Sequence, residues 1–446
     1  MFTLSRYAQS LELIEPMQSH GVVSQSIGLV IEADIPNVFI GEICEVFPKG
    51  RLLPFKCEVV GFKEDRALLM PYEYIRGIAH GNRVKSLGRK AFANVGESYL
   101  GRVVDAFGGA LDGKGTIENG IDVPLHKEPI NPLKRERISS TFSTGIRSID
   151  TFTTIGKGQR VGLFAGSGVG KSSLLSAICK NNRDDNRVNI IALVGERGRE
   201  VEEFVSETLG SEGLDNSIVI AATSEQPPLV RAQAVFYALA MAEYFSEQGK
   251  DVFLTIDSVT RFAMAMREVG LSIGEAPTLK GYTTSVFSAI PRVVERCGNF
   301  KSRGSITAIF TVLVENDDFN DPVVDTIRAI LDGHVILSRN LAENHHYPAV
   351  DVMKSVSRLF SNLSSSEQTA AVESARKAWG LYEENKEFLE LGMLDGDAGK
   401  LAKIKADYES LCDFLRQKIA LNVPINDAIN QLQSWHSDRS SNANNN

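Results

Sequence analysis

The sequence predicts a multidomain chain: a small all-β unit, then an α/β domain built on a largely parallel sheet, then a helical domain. Three observations predict it. Between Gly21 and Gly88, short β-rich runs such as "GVVSQSIGLVIEADI", "GEICEVF" and "ALLMPY" alternate with turns, the spacing of a small barrel or sandwich. From Ile146 to Phe360, apolar runs without alternation ("RVGLFA", "NIIALVG", "SIVIAA", "DVFLTID", "SITAIFTVLV") are separated by helix-length stretches, as in strands covered on both faces. After Ser364, Leu401, Ile404, Tyr408, Leu411 and Leu415 recur at spacings of three and four, one face of a helix.

The 446 residues exceed one comfortable core and suggest two or three domains. The segments are 1–20, a leading stretch; 21–90, the β unit; 91–145, a connector and the start of the next domain; 146–363, the α/β domain; 364–435, the helical domain; and 436–446, where "SDRSSNANNN" is polar enough to be expected as a disordered tail. In the connector, "GRVVDAFGGALDGKG" and "PLHKEPINPLKRER" carry turn residues and X-Pro bonds that disfavour helix.

Composition excludes several function classes. A net charge of −8 and 43% hydrophobic residues give no global attraction to nucleic acid. Five scattered cysteines without Cys-x-x-Cys spacing argue against a disulfide framework or a zinc site and fit a reducing cytoplasm. No apolar run approaches the roughly 18 residues of a membrane span, and "MFTLSRYAQSLELIEP" has no signal-peptide pattern, so a cytoplasmic protein is expected.

The chemistry concentrates in "RVGLFAGSGVGKSSLLSAI". Gly166, Ser167, Gly168, Val169 and Gly170 form a glycine-rich turn between a strand and a helix, a geometry whose N–H groups converge on phosphate. Lys171 would reach the β- and γ-phosphates, Ser172 would ligate Mg²⁺, and Ser173 completes the loop. The strict pattern asks for Gly where this chain has Ala165. Strand, loop and helix nevertheless occur in the right order, so ATP is the expected ligand.

"DVFLTIDS" ends an apolar strand in Asp257, placed to hold Mg²⁺ through its water shell; alone, such an acid is often a helix cap. In "NIIALVGERGREVEEFV" a buried strand gives way to Glu196, Arg197, Arg199 and Glu200. Glu196 could polarise a water in line with the γ-phosphate, or belong to a solvated cluster of ion pairs at a helix start. His345 and His346 lack further ligands at metal spacing and are expected to be a solvated pair.

"GERGREVEEF", "DSVTRFAMAMREVGLSIGEAPTLKGYTTSVFSAIPRVVERCG", "LDGHVILSR" and "YPAVDVMKSVSR" resemble the export ATPases of type III secretion, relatives of the catalytic subunit of the rotary ATP synthase. The resemblance implies an N-terminal β-barrel, a RecA-like P-loop ATPase domain, a helical C-terminal domain and a homohexamer. It implies Glu196 as the catalytic carboxylate, Arg197 and Arg261 around the phosphates, Tyr347 against adenine, and Arg358 supplied to the neighbouring subunit's nucleotide. Read alone, Tyr347 is more often a core residue than an adenine platform, and Arg358 an ordinary surface residue. Glu196 and Arg358 in one chain favour a self-sufficient ring with shared sites.

The partners so implied are a stator-like regulatory subunit reached by the extreme N-terminus, a coiled-coil stalk subunit, a membrane export gate and chaperone–substrate complexes. Peripheral placement at the cytoplasmic side of the inner membrane goes with them, and no nucleic acid. A departure from the family pattern falls in "LELGMLDGDAGKLAKI". A flagellar export enzyme is the leading reading. The alternatives are a virulence injection-system ATPase, a rotary ATP synthase catalytic subunit, a hexameric RNA translocase and a non-catalytic nucleotide-binding ring subunit.

Overall fold

The computed structural model describes residues 19–182, 186–314, 318–390 and 398–444. Residues 1–18 of the expected leading stretch and 391–397 within "LELGMLDGDAGKLAKI" lie outside them.

The β unit is a closed barrel of β1 (His20–Ile27), β2 (Val30–Asp34), β3 (Glu42–Phe47), β4 (Phe55–Lys63), β5 (Arg66–Pro71) and β6 (Arg83–Lys90), in the order β1-β2-β5-β4-β3-β6. Alternation puts Val23, Ile31, Cys44, Val46, Phe55, Val59, Leu69 and Val84 inside. Closure of β1 on β6, with Val22 opposite Arg83, removes the free edges that a sandwich would keep.

Three short strands follow: β7 (Phe92–Val95), β8 (Arg102–Val104) and β9 (Ile121–Pro124), of which β7 and β9 pair with each other. Strand β8 lies within the glycine-rich connector yet runs parallel to a strand of the central sheet. An ion pair from Arg102 Nε to Asp112 Oδ2 at 2.7 Å folds the connector back upon it. The Gly-rich passage is thus part of the sheet's edge rather than a simple link.

After β10 (Thr141–Phe142) and β11 (Ile155–Gly156) come the strands of the central sheet: β12 (Arg160–Ala165), β13 (Arg187–Val194), β14 (Ser217–Ala222), β15 (Asp251–Asp257), β16 (Ile306–Leu313), β17 (Gly333–Ile336) and β18 (Val356–Ser357). With β8 they form eight strands in the order β18-β17-β12-β16-β15-β13-β14-β8, all parallel except β18.

Strand β13 shows why the apolar runs lack alternation. Val188, Ile190, Ala192 and Val194 enter one core while Ile191 and Leu193 enter the other, across the sheet. The helix Pro228–Glu247 is buried nearly all round against the first core. The second core takes in the P-loop helix Lys171–Asn181 and reaches Trp379, Leu411 and Leu432 of the helical domain, so these two domains share apolar packing.

Helices Ser366–Glu390, Ala398–Leu415 and Ile425–Asn444 make the C-terminal domain. Ile404, Leu411 and Leu415 are buried on the predicted face. The last helix corrects the expected tail: it runs through 436–444, continuing preceding turns in which Ala428 and Leu432 are buried and Trp435 packs on the second core. All five cysteines are buried free thiols. No helix among the described residues is long and apolar enough to cross a membrane.

Candidate active site

Brought side by side by the parallel sheet, the carboxyl ends of β12, β16, β15 and β13 place the glycine-rich loop, Lys171, Glu196, Arg197 and Arg261 around one cleft of about 630 Å³. From β12 the chain turns through Gly166–Gly170 into the helix that starts at Lys171. Gly168 and Gly170 hold φ of 79° and 93°, conformations that side chains strain to adopt. Val169 is buried and anchors the loop, leaving Ser167, Ser172 and Ser173 facing the cleft. Tyr347 lies along the same loop: a Cβ on Gly170 would stand 3.7 Å from its ring.

Lys171 is the centre of the charge arrangement. Its Nζ lies 2.5 Å from Asp257 Oδ1 and 3.6 Å from Glu196 Oε1. Asp257 ends β15, and its Oδ1 also accepts the hydroxyl of Thr311, on neighbouring β16, at 2.7 Å. Glu196 follows β13. Burial pushes its carboxyl up to about 7; Lys171 opposes that shift, while the charge of Asp257 and the carboxyl of Glu200 add to it. A carboxyl group poised near neutrality is suited to accepting a proton from water.

Arg261 packs against Gly195, where an added Cβ would come within 3.1 Å of its side chain, and it lines the cleft with Arg197. Arg197 is 79% exposed, 3.8 Å from Glu200. Arg339 and Glu200 line the cleft as well. Arg339 closes the quoted "LDGHVILSR" but was assigned no role there, and Thr311 carried no sequence signal, because its role depends on which strands are neighbours in the sheet. Arg358 is not brought in: it is exposed beyond β18, its guanidinium 3.3 Å from the carbonyl of Ala329.

The donor set fits a hard cation. A hydroxyl from Ser172 and a carboxylate from Asp257, which is 4% exposed, are oxygen ligands of the kind Mg²⁺ takes.

Comparison with known proteins bears on the same residues. The ATP synthase alpha/beta family model matches twice, its beta-barrel domain over residues 23–88 and its nucleotide-binding domain over 145–357. The type III secretion EscN ATPase C-terminal domain matches 364–434. The flagellum-specific ATP synthase of Bacillus subtilis is 46% identical over 91% of this chain and 93% of its own length. The chain belongs to the flagellar and type III secretion ATPases. Another member, the SPI-2 type 3 secretion system ATPase of Salmonella typhimurium, is 41% identical over 89% of this chain and 90% of its own. Among solved structures, the assembled export ATPase EscN of enteropathogenic E. coli superposes with a TM-score of 0.85 at 37% identity, over 93% of this chain and 99% of that one. EscN in complex with its central stalk EscO gives 0.84 at 36% identity, with the same coverage.

The expected histidine pair divides. His345 is exposed, but His346, beside Tyr347, is 3% exposed and its Nε2 has no hydrogen-bond partner. The expectation of two solvated rings fails for His346, which is buried while its neighbours His345 and Tyr347 are exposed. Burial, aided by the charge of Arg416, depresses the His346 pKa to about 4. The native imidazole stays neutral where an unfolded one, near 6.5, takes up a proton. Stability from this group is therefore full above about pH 6.5 and is lost as pH falls toward 4. His346→Gln should lose less melting temperature than the parent between pH 7.5 and pH 5 by calorimetry; equal losses would assign the acid sensitivity elsewhere.

Proposed function

We propose that the cleft binds Mg-ATP and hydrolyses it to energise flagellar protein export, with the chain working as a homohexamer. The observation that carries the chemistry is Lys171 bridging Asp257 and Glu196 at the mouth of the glycine-rich loop. Lys171 and the loop N–H groups hold the β- and γ-phosphates, and Ser172 and Asp257 hold the cation. Bound Mg²⁺ supplies electrostatic stabilisation of the phosphate oxygens. Glu196 orients and deprotonates the attacking water, helped by a carboxyl already near neutrality. Arg197 and Arg261 offset charge that develops on the phosphates. Tyr347 packs on the adenine.

Arg358 is exposed and does not line its own cleft, which supports its delivery to a neighbour's nucleotide. An acid and a trans arginine in one chain make identical subunits sufficient. This favours a homo-oligomer over the rotary enzyme's mixed ring. Flagellar relatives at 41–46% identity support the flagellar assignment, and a virulence injection ATPase is the second reading, supported by relatives at 41%. Work at the cytoplasmic face of an inner-membrane export gate follows from that assignment. So do a coiled-coil stalk subunit, a stator-like regulatory subunit and chaperone–substrate complexes as partners.

The test is a chromosomal Glu196→Gln strain. Hook and filament proteins should be absent from the medium but present in cells, with motility lost. Normal flagellar export would move the enzyme to an injection system or another role.

A further inference from the structure

Gln417 joins the C-terminal domain to the nucleotide cleft. It lies just past the helix Ala398–Leu415 and is 5% exposed. Its backbone N–H donates to the carbonyl of Tyr347 at 2.9 Å. Its side-chain Nε2 donates to the carbonyls of Gly145 at 2.7 Å and Leu421 at 2.6 Å, and its Oε1 accepts the N–H of Arg147 at 2.9 Å. The amide has one workable orientation, because a flip would set its oxygen against two carbonyls and its NH₂ against an N–H.

The ground on which this amide stands is tight. Gly145 has φ of 73°, and a Cβ there would fall 2.3 Å from Asn181 Nδ2 and 2.4 Å from Asn422 Oδ1. Asn181, the last residue of the P-loop helix, donates to the carbonyl of Thr144 at 3.0 Å. Three parts of the molecule therefore meet at Gly145: the end of the P-loop helix, the entry to the ATPase domain, and the C-terminal domain through Gln417 and Asn422. The side-chain bonds of Gln417 to Gly145, Leu421 and Arg147 fix where its backbone N–H stands, and that N–H holds the carbonyl of Tyr347. Tyr347 is 43% exposed, so its placement leans on the backbone anchor as well as on packing of the ring.

We infer that Gln417 is a positioning residue that holds Tyr347 at the base end of the cleft, and so links the C-terminal domain to base recognition. The inference rests on the reading of Tyr347 as the adenine platform. A residue acting this way matters for a ligand with a base and not for one without.

The experiment compares ATP and inorganic tripolyphosphate binding by calorimetry in the full chain, for the parent, Gln417→Ala, Tyr347→Ala and the double variant. Gln417→Ala should weaken ATP roughly tenfold, raise the KM for ATP in step with little change in kcat, and leave tripolyphosphate unaffected. The double variant should bind ATP no more weakly than Tyr347→Ala, since Gln417 acts on ATP only through the ring that Tyr347→Ala removes. Equal loss for ATP and tripolyphosphate, or additive losses, overturns the role of Gln417 alone. A Tyr347→Ala protein with unchanged ATP affinity overturns the adenine platform, and this role with it. Gln417→Glu keeps the shape but turns an oxygen toward the carbonyls of Gly145 and Leu421. It should reproduce the alanine phenotype while keeping a cooperative melt, and parental ATP affinity in this variant would equally overturn the role.

Discussion

Glu196→Gln should lower ATP turnover on the order of 10²–10⁴-fold while leaving ATP affinity close to the parent's. The substitution keeps size and shape, so the cleft should stay formed. What disappears is the basic carboxylate. In the native cleft Glu196 lies 3.6 Å from Lys171, and its carboxyl is raised to about 7 chiefly by burial. The group that has to accept a proton is therefore one that burial has already made more basic than a surface glutamate. Removing its charge also frees Lys171 from one of its two acidic partners, which opposes any loss of phosphate binding. Steady-state turnover measured alongside ATP calorimetry checks both halves. Turnover near the parent's would remove Glu196 from its catalytic role and restore its alternative as a member of a solvated helix-start cluster.

That alternative shows how far the sequence reaches. The strands β12 to β16 were legible because a parallel strand buried on both faces is mostly apolar without alternation, and each run quoted from the sequence coincides with one. The glycine-rich loop was legible because its positive φ angles and its lysine are local requirements, met within Gly166–Lys171. Residues whose function depends on pairing were not. Thr311 supports Asp257 only because β16 lies beside β15, and nothing in "SITAIFTVLV" marks that threonine from the others.

Strand β8 was hidden for a different reason. Three residues inside a glycine-rich stretch carry no periodicity, and its strand character comes from pairing with β14. Barrel closure likewise follows from β1 meeting β6 across the whole unit, which strand spacing leaves open between barrel and sandwich. The polar end of the last helix misled for the converse reason: composition there reads as disorder, whereas a helix already packed through Leu432 and Trp435 propagates outward at little cost.

Arg358 is where sequence and single-chain geometry both stop short, and it supports the second large effect. Its guanidinium is exposed, touches the carbonyl of Ala329 and lines no part of its own cleft. If a neighbour's nucleotide is its target, Arg358→Ala should reduce turnover by about 10³-fold or more, with ATP binding by isolated chains little changed. Glu196→Gln should be equally inactive, but for a reason located in the other half of a shared site. Mixing the two inactive proteins then has a distinctive outcome. Wherever an Arg358→Ala subunit sits with its cleft facing an intact Arg358 of a Glu196→Gln subunit, one site holds both the acid and the arginine.

Turnover should reappear on mixing, rise with protein concentration as mixed rings form, and remain below the parent's because the other pairings are incomplete. A site completed within one chain predicts the opposite: no mixture of the two variants would recover activity at any concentration. The parent should show the same dependence from another direction, its specific activity falling on dilution as rings dissociate into chains whose clefts lack a partner's arginine. A flat profile down to monomeric conditions would place the missing positive charge within the chain, where Arg339 lines the cleft with no need of a neighbour.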